Sequence, residues 1–369
     1  MDVVKYFEMN IGVPREIKNH EYRIAVTPSG VSELIKNGHR LIIEKSAGTG
    51  SGFDDNEYVN AGAEVSHRDK LFNESELIVK VKEPLPEEYI LFREGQALFT
   101  YLHLASVPDL TAMLLDKKIS GFAYETLEIE GKLPLLAPMS EVAGKMAPLM
   151  GAYYLQKKYG GAGLLVSGAE SVEPAKVLIL GAGVVGKGAL KVAFGMGADV
   201  TVINRGEAKL REIDNLYKGK VRTVLSTDEN IEAEVVKTDI LIGAVLVTGA
   251  KAPKLVTRDL VSRMKQGSVI VDVSVDQGGC VETTKPTTHN DPVYTVDGVI
   301  HYTVANMPGA YPRTSTIALT NKTLAYIQML ANNGIDNTAA GDGPLRSALN
   351  TYKGEITHSA VADAIQKYT

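Results

Sequence analysis

The stretch VLILGAGVVGKGAL, residues 177–190, decides the reading of this chain. An apolar run ends in glycine, and Gly181, Gly183 and Gly186 keep the spacing G-x-G-x-x-G. In that pattern the first glycine makes a tight turn and the second lets the backbone approach a pyrophosphate. The third permits close helix–strand packing. Ala182 and Val184 complete the turn, and the first amides of the following helix face the phosphates. A chance turn can show the same spacing. Here an apolar strand precedes it, a helix start follows, and another strand, DVTVI (199–203), comes at the correct distance. The stretch predicts a dinucleotide-binding Rossmann unit.

That second strand runs into VTVINRG (200–206), which places Asn204 where such folds usually carry a carboxylate. An acid there accepts hydrogen bonds from the adenosine ribose and repels a 2′-phosphate. Asparagine can bond the ribose without the repulsion. Arg205 and Lys209 could pair with a phosphate, or Arg205 could stack on adenine or point to solvent. NADP use is therefore a live option, and the pattern alone does not choose between it and NAD.

Outward from this unit, both flanks alternate short apolar runs with helical patterns. NIGVP (10–14), RIAVT (23–27), RLIIE (40–44), ELIVKVKEP (76–84), ALFTYLHLA (97–105) and ISGFAYE (119–125) read as strands. Pro28 and Ser29 open a helix with Val31, Leu34 and Ile35 on one face, and PDLTAMLLDKK (108–118) supplies another. A long helix is expected from an N-cap at Ser140 to about Lys158, kinked or broken near 144–148 by Pro148. YGGAGLLVSGAESVEP (159–174) reads as a loop around a short strand. DILIGAV (239–245), SVIVDVSV (268–275) and VIHYTVAN (299–306) continue the second series. STIALTNKTLAYIQMLANNG (315–334) reads as an amphipathic helix with Ile317, Leu324 and Ile327 on its apolar stripe, and 335–369 has weak helical patterning. Strands separated by helices argue for parallel sheets in an α/β fold.

Bulk properties narrow the function. A chain of 369 residues is long for one core, so two domains are expected. A net charge of −5 with no long basic run speaks against nucleic acid. The single cysteine, Cys280, excludes an internal disulfide and a cysteine-rich metal site. No HExxH motif, clustered ligand set, GxSxG elbow or P-loop is present, so no metal is implied. The opening MDVVKYFEMN does not read as a signal peptide, and no stretch is long and apolar enough to span a bilayer. A soluble, cytoplasmic protein is expected.

Three places put polar groups where a bland core does not need them. His103 in ALFTYLHLA would share a face with Phe99 and Tyr101 if 97–104 is a strand, although a lone histidine there is more often structural. Lys80 and Lys82 alternate before Pro84, and most such lysines are solvated edge residues. Asp276 follows SVIVDVSV, and the carboxyl ends of parallel strands face the ligand crevice. Asp272, four residues earlier, reads as deeper and structural.

GVPREIKNHEYRIAVTP, KVKEPLPEEY, FTYLHLA, YETLE, LPLLAPMSEVAG, GAVLVTGAKAPKL, GSVIVDVSVDQGG and VANMPGAYPRTSTIALTN run from about Asn10 to the end. Together they resemble the alanine dehydrogenase family, a group that includes the nucleotide-binding component of proton-translocating transhydrogenases. The resemblance implies two Rossmann-like domains with parallel sheets and an active site in the interdomain cleft. Residues 1–138 would begin the substrate domain, 139–307 form the dinucleotide-binding domain, and 308–369 complete the first. It implies reversible oxidative deamination of L-alanine to pyruvate and ammonia, with hydride passing to nicotinamide. Carried over by residue, Arg23 and Lys82 would bind the substrate carboxylate and carbonyl oxygen. His103 would be the acid–base group, and Asp276 would orient or activate water. Met139 and Ser140 would lie near substrate and cofactor, with Leu246 and Asn306 against the nicotinamide half. A homo-oligomer, hexameric as is common in the family, is implied, with small-molecule partners only. Asn204 replaces the usual family aspartate. The alternatives are a transhydrogenase-like nucleotide-binding component, a non-catalytic relative, and a dehydrogenase for a related amino acid.

Overall fold

Short apolar runs, most of them followed by a helix, build two mostly parallel sheets, one in each of two units. The computed structural model describes residues 8–245 and 252–365. Unit 1 comprises Met1–Met139 with Tyr311–Thr369, and unit 2 comprises Ser140–Ala310.

In unit 1 the strands are β1 (Asn10–Val13), β2 (Arg40–Glu44), β3 (Glu64–Ser66), β4 (Leu77–Val79), β5 (Ala97–Thr100) and β6 (Ser120–Ala123). Their order across the sheet is β6, β5, β4, β1, β2, β3, all parallel. Two strands of the C-terminal segment, Leu349–Tyr352 and Glu355–Ile356, extend the sheet antiparallel beyond β6. Chain order reverses direction between β1 and β4. That is the point at which an open α/β sheet leaves a crevice outside its carboxyl ends. Ile42, Ile78, Leu98, Leu102, Leu110 and Leu114 are among the buried side chains of its core.

Unit 2 contains β7 (Lys176–Leu180), β8 (Asp199–Asn204), β9 (Arg222–Leu225), β10 (Ile240–Gly243), β11 (Val269–Asp272), β12 (Val293–Val296) and β13 (Val299–Tyr302). The order is β12, β13, β11, β10, β7, β8, β9, with only β12 antiparallel. Alternation along β7 sends Val177 and Ile179 into one apolar cluster and Leu178 and Leu180 into another. Both faces are therefore covered, as a parallel sheet requires. The switch point lies between β7 and β10. Gly181 closes β7 at φ 107, where a Cβ would stand 2.5 Å from the Ala244 carbonyl. A Cβ on Gly186 would come to 1.8 Å from the Gly181 carbonyl, so only glycine lets the helix Val184–Gly195 pack this closely on the turn.

Several sequence expectations give way. Arg23–Thr27 is not a strand. Its backbone is satisfied from side chains instead: Ile24 N–H donates to Thr316 Oγ1 at 3.2 Å, and Val26 O accepts from the Tyr58 hydroxyl at 3.0 Å. Thr27 caps the helix Pro28–Lys36. The long helix starts a turn before Ser140, spans Ala137–Tyr154 and passes through Pro148 without a break. Ala143, Met146 and Ala147 are buried immediately before the proline, and this packing outweighs its local cost. No strand forms within 159–174, where the pairing is an isolated bridge, Ala169 with Val172. β5 stops at Thr100 and β11 at Asp272, each giving way to tighter backbone.

The helix Pro312–Asn333 buries Thr316, Thr320, Thr323, Ile327 and Leu330, while Ile317 stays 39% exposed. On this threonine-rich inner face the Thr316 hydroxyl accepts the Ile24 amide, and the Thr320 hydroxyl bonds back to Ile317 O of its own helix. The tail contributes two strands as well as short helices.

Replacing Gly186 by alanine is expected to lower the stability of the full chain by about 1–3 kcal/mol through overpacking. The same change should abolish nucleotide binding. Denaturant unfolding and NADH titration of the purified variant read the two effects, and a wild-type result in both would remove Gly186 from this role.

Candidate functional site

At the carboxyl edge of the unit 1 sheet, four parallel strands deliver polar residues. The loop after β1 carries Glu16, Glu21 and Arg23, and β4 leads to Lys80 and Lys82. Tyr101 and His103 follow β5, and Glu125 follows β6.

Lys80 is wholly buried, contrary to the expectation of a solvated edge lysine. Its ammonium lies 3.0 Å from Glu16 Oε2 and 2.9 Å from Glu88 Oε1. Burial works against that charge, yet the two carboxylates outweigh it and hold Lys80 protonated above the usual lysine range. Glu16 Oε1 also accepts from the amides of Val81 at 2.6 Å and Lys82 at 3.3 Å. One carboxylate thus joins the β1 loop to the β4 exit and fixes the backbone from which the half-buried Lys82 projects. Glu83, next along, is pushed up by burial, but Lys82 and Lys18 pull it below the ordinary glutamate range.

Arg23 is 2% exposed. Glu21 grips it in a two-pronged pair, with Arg23 Nε donating to Oε1 at 2.6 Å and Nη2 to Oε2. Burial opposes the charge, and Glu21 raises the guanidinium further into its ionised range. Arg23 Nη1 reaches Met139 Sδ at 3.0 Å, so the structure brings these two expected substrate residues together. A cavity of about 300 Å³ lies beside Arg23, lined by Arg15, Lys18, Glu21 and Ser46 among others.

His103 does not share a strand face with Phe99, because β5 ends before it. The residue instead adopts φ 50, a left-handed conformation that costs a non-glycine residue about 1–2 kcal/mol. Its imidazole stacks on Tyr101, with centroids 6.0 Å apart and planes 10° from parallel. The Tyr101 hydroxyl donates to Leu135 O at 2.7 Å. Glu125 accepts the His103 amide at 2.6 Å. The His103 side chain remains 41% exposed, so its ring is available to a ligand.

In unit 2, Gly181, Ala182, Gly183, Val184 and Gly186 form the turn at the switch point. A Cβ at Gly183 would meet nothing within 4 Å, and Gly183 caps the helix Val184–Gly195 without a side-chain bond. Open space beside the first helical amides fits a pyrophosphate. Asn204 turns inward: its Oδ1 accepts the Ala182 amide at 3.1 Å and its Nδ2 donates to Gly206 O at 2.9 Å. Arg205 and Lys209 are exposed.

Asp276 sits exposed in the short 3-10 turn Val273–Gln277. Asp272 is buried beneath it and accepts amides of Ser274 at 3.0 Å, Cys280 at 2.9 Å and Val281 at 3.2 Å, closing the loop that carries Asp276. Asn306 takes φ 67, its carbonyl within 3.1 Å of His289 Nε2. Ser140 lies in the helix Ala137–Tyr154, half-buried, and Leu246 lies outside the described residues. Sequence reasoning missed Glu21 and Glu125, whose importance is visible only through the groups they bind. Among the described residues no cluster of three or more His, Cys, Asp or Glu could hold a metal ion, and no helix is long and apolar enough to cross a membrane.

Substituting Lys80 by methionine strands two buried carboxylates and should cost about 3–5 kcal/mol of stability. Denaturant unfolding checks this, and adding Glu16→Gln and Glu88→Gln to Lys80→Met should restore part of the loss. Full wild-type stability in the single variant would contradict the ion-pair reading.

Residues 12–143 match the family described as alanine dehydrogenase/PNT, N-terminal domain, and residues 147–359 match its C-terminal domain. Alanine dehydrogenase of Bacillus subtilis is 53% identical over 96% of this chain and 94% of its own length. The alanine dehydrogenase of Halomonas elongata is 53% identical, covering 96% of each chain. A solved L-alanine dehydrogenase superposes with a TM-score of 0.94 at 47% identity, over 98% of this chain and 100% of that one.

Proposed function

Since this chain belongs to the alanine dehydrogenase/PNT family and is an amino-acid dehydrogenase, we propose that it interconverts L-alanine with pyruvate and ammonia. The observation that carries the reading is the gathering of Arg23, Lys82 and His103 at the carboxyl edge of one parallel sheet. Unit 2 supplies the glycine turn of a nicotinamide dinucleotide site. A nicotinamide bound there would supply the hydride acceptor for oxidation at the alanine Cα and the hydride donor for the reverse reaction.

The chain's own groups do the rest. Arg23, kept ionised by Glu21, binds the substrate carboxylate, and Met139 against its guanidinium bounds the space beside it. Lys82 holds the carbonyl oxygen of pyruvate. In deamination, His103 takes a proton from the water that adds to the imine carbon, and a proton then accompanies the departing ammonia. Histidine suits this because its ordinary titration range spans neutral pH. Asp276 orients or activates that water. Gly181, Ala182, Gly183, Val184 and Gly186 would cradle the pyrophosphate, Ser140 would lie near substrate and cofactor, and Leu246 and Asn306 would stand against the nicotinamide half.

Cofactor choice turns on residues 204–209. Asn204 is neutral and already engaged with Ala182 and Gly206, so it offers no repulsion to a 2′-phosphate. Arg205 and Lys209 are exposed cations nearby in sequence. The reading is NAD use with weakened rejection of NADP. Family resemblance favours a cytoplasmic homohexamer, which sedimentation or light scattering of the purified chain tests.

Pyruvate-plus-ammonia-dependent oxidation of NADH by the purified protein tests the reaction. Activity supports it, and silence from a folded protein that binds NADH overturns it. His103→Ala should keep NADH binding and lower turnover on the order of 10²-fold; near-normal turnover would remove His103 from acid–base work. Asn204→Asp should raise the NADH-to-NADPH efficiency ratio on the order of tenfold, equivalent to about 1.4 kcal/mol. An unchanged ratio would mean the ribose is read elsewhere.

A further inference from the structure

We propose that Glu125 is a positioning residue for His103, an inference that rests on the reaction assigned above. His103 is held at φ 50, where a side-chain-bearing residue stays only if its surroundings over-determine it. Glu125 holds the peptide that enters it. Its carboxylate accepts two successive amides: Leu102 N–H, at 3.1 and 3.2 Å from the two oxygens, and His103 N–H at 2.6 Å. Two consecutive amides converging on one anion fix the backbone of Leu102 and the peptide plane that enters His103, the frame from which its left-handed turn departs. The ring is fixed at a second point, by its stack on Tyr101. Glu125 therefore holds the backbone leading into His103, while Tyr101 packs against the imidazole.

Glu125 is itself anchored from a distant part of the chain. It sits in the turn Tyr124–Thr126, and Thr126 Oγ1 donates to Asn350 Oδ1 at 2.9 Å. Its Oε1 also lies 4.0 Å from His103 Nδ1, so the carboxylate that shapes the backbone faces the ring that carries the proton. A side chain that delivers an acid–base group in this way controls the reacting geometry without touching substrate.

Glutamine retains an acceptor oxygen that can take both amides, whereas methionine fills the space and takes neither. The test compares full-length wild type, Glu125→Gln and Glu125→Met by steady-state kinetics and by amide hydrogen exchange at Leu102 and His103. Glu125→Gln should keep kcat within about threefold and leave both amides protected. Glu125→Met should lose about tenfold or more in kcat, with KM for pyruvate and for NADH within about twofold, and both amides should exchange faster. Wild-type kcat in Glu125→Met, or equal damage in Glu125→Gln, overturns the proposal. If Glu125→Met fails to fold, Glu125→Asp replaces it: its carboxylate is one methylene short of the amides, and wild-type kcat and exchange there would overturn the proposal as well. A wild type inactive with pyruvate, ammonia and NADH would overturn the assigned reaction. Amide exchange in the variants would still decide whether Glu125 holds residue 103.

Discussion

A buried ammonium governs the substrate-side unit. Lys80 has no solvent to share its charge, so Glu16 and Glu88 must stand within about 3 Å of it. Glu16 then cannot move, and its second oxygen binds the amides of Val81 and Lys82. The exit of β4 and the loop after β1 become one rigid piece. Lys82, Glu21 and Arg23 all project from that piece. A site that must hold a small carboxylate precisely needs its cations on such a frame, because long side chains on loose backbone lose entropy on each binding event.

Two sheets with nearly the same strand order serve different ends. In each, chain order reverses beside the first strand, and a crevice opens at the carboxyl edge. Unit 2 keeps the turn at that crevice clear with glycines, so its backbone amides stay bare. Unit 1 places the Lys80 ion cluster at the ends of β1 and β4 instead. The difference lies in a handful of side chains at the ends of β1, β4 and β7, not in the architecture.

Much of this was legible in the sequence where local pattern and tertiary role agree. The strand, turn and helix around Gly181–Gly186 could be read because each glycine answers a local backbone demand. Arg23–Thr27 looked like a strand because a buried loop and a buried strand show the same alternation of apolar residues. Only Thr316 and Tyr58, far away in sequence, distinguish them. Ile317 seemed to mark the inner face of its helix, yet hydroxyls of Thr316 and Thr320 face inward, where they meet backbone groups. Lys80 and Lys82 are indistinguishable by spacing. Burial separates them, and burial depends on Glu16 and Glu88. Glu21 and Glu125 carry no local signature, since their importance lies wholly in what they bind.

The return of the C-terminal segment to unit 1 imposes an order of events on synthesis. Unit 2 occupies one continuous span and is fully available before residues 311–369 leave the ribosome. Unit 1 must wait. Until Leu349–Tyr352 arrives, β6 presents a bare edge of amides and carbonyls, and the turn bearing Glu125 lacks Asn350. A newborn chain therefore acquires its nucleotide fold first and its chemistry last. During that interval the open edge is exposed to chaperones and to misassembly with neighbouring chains.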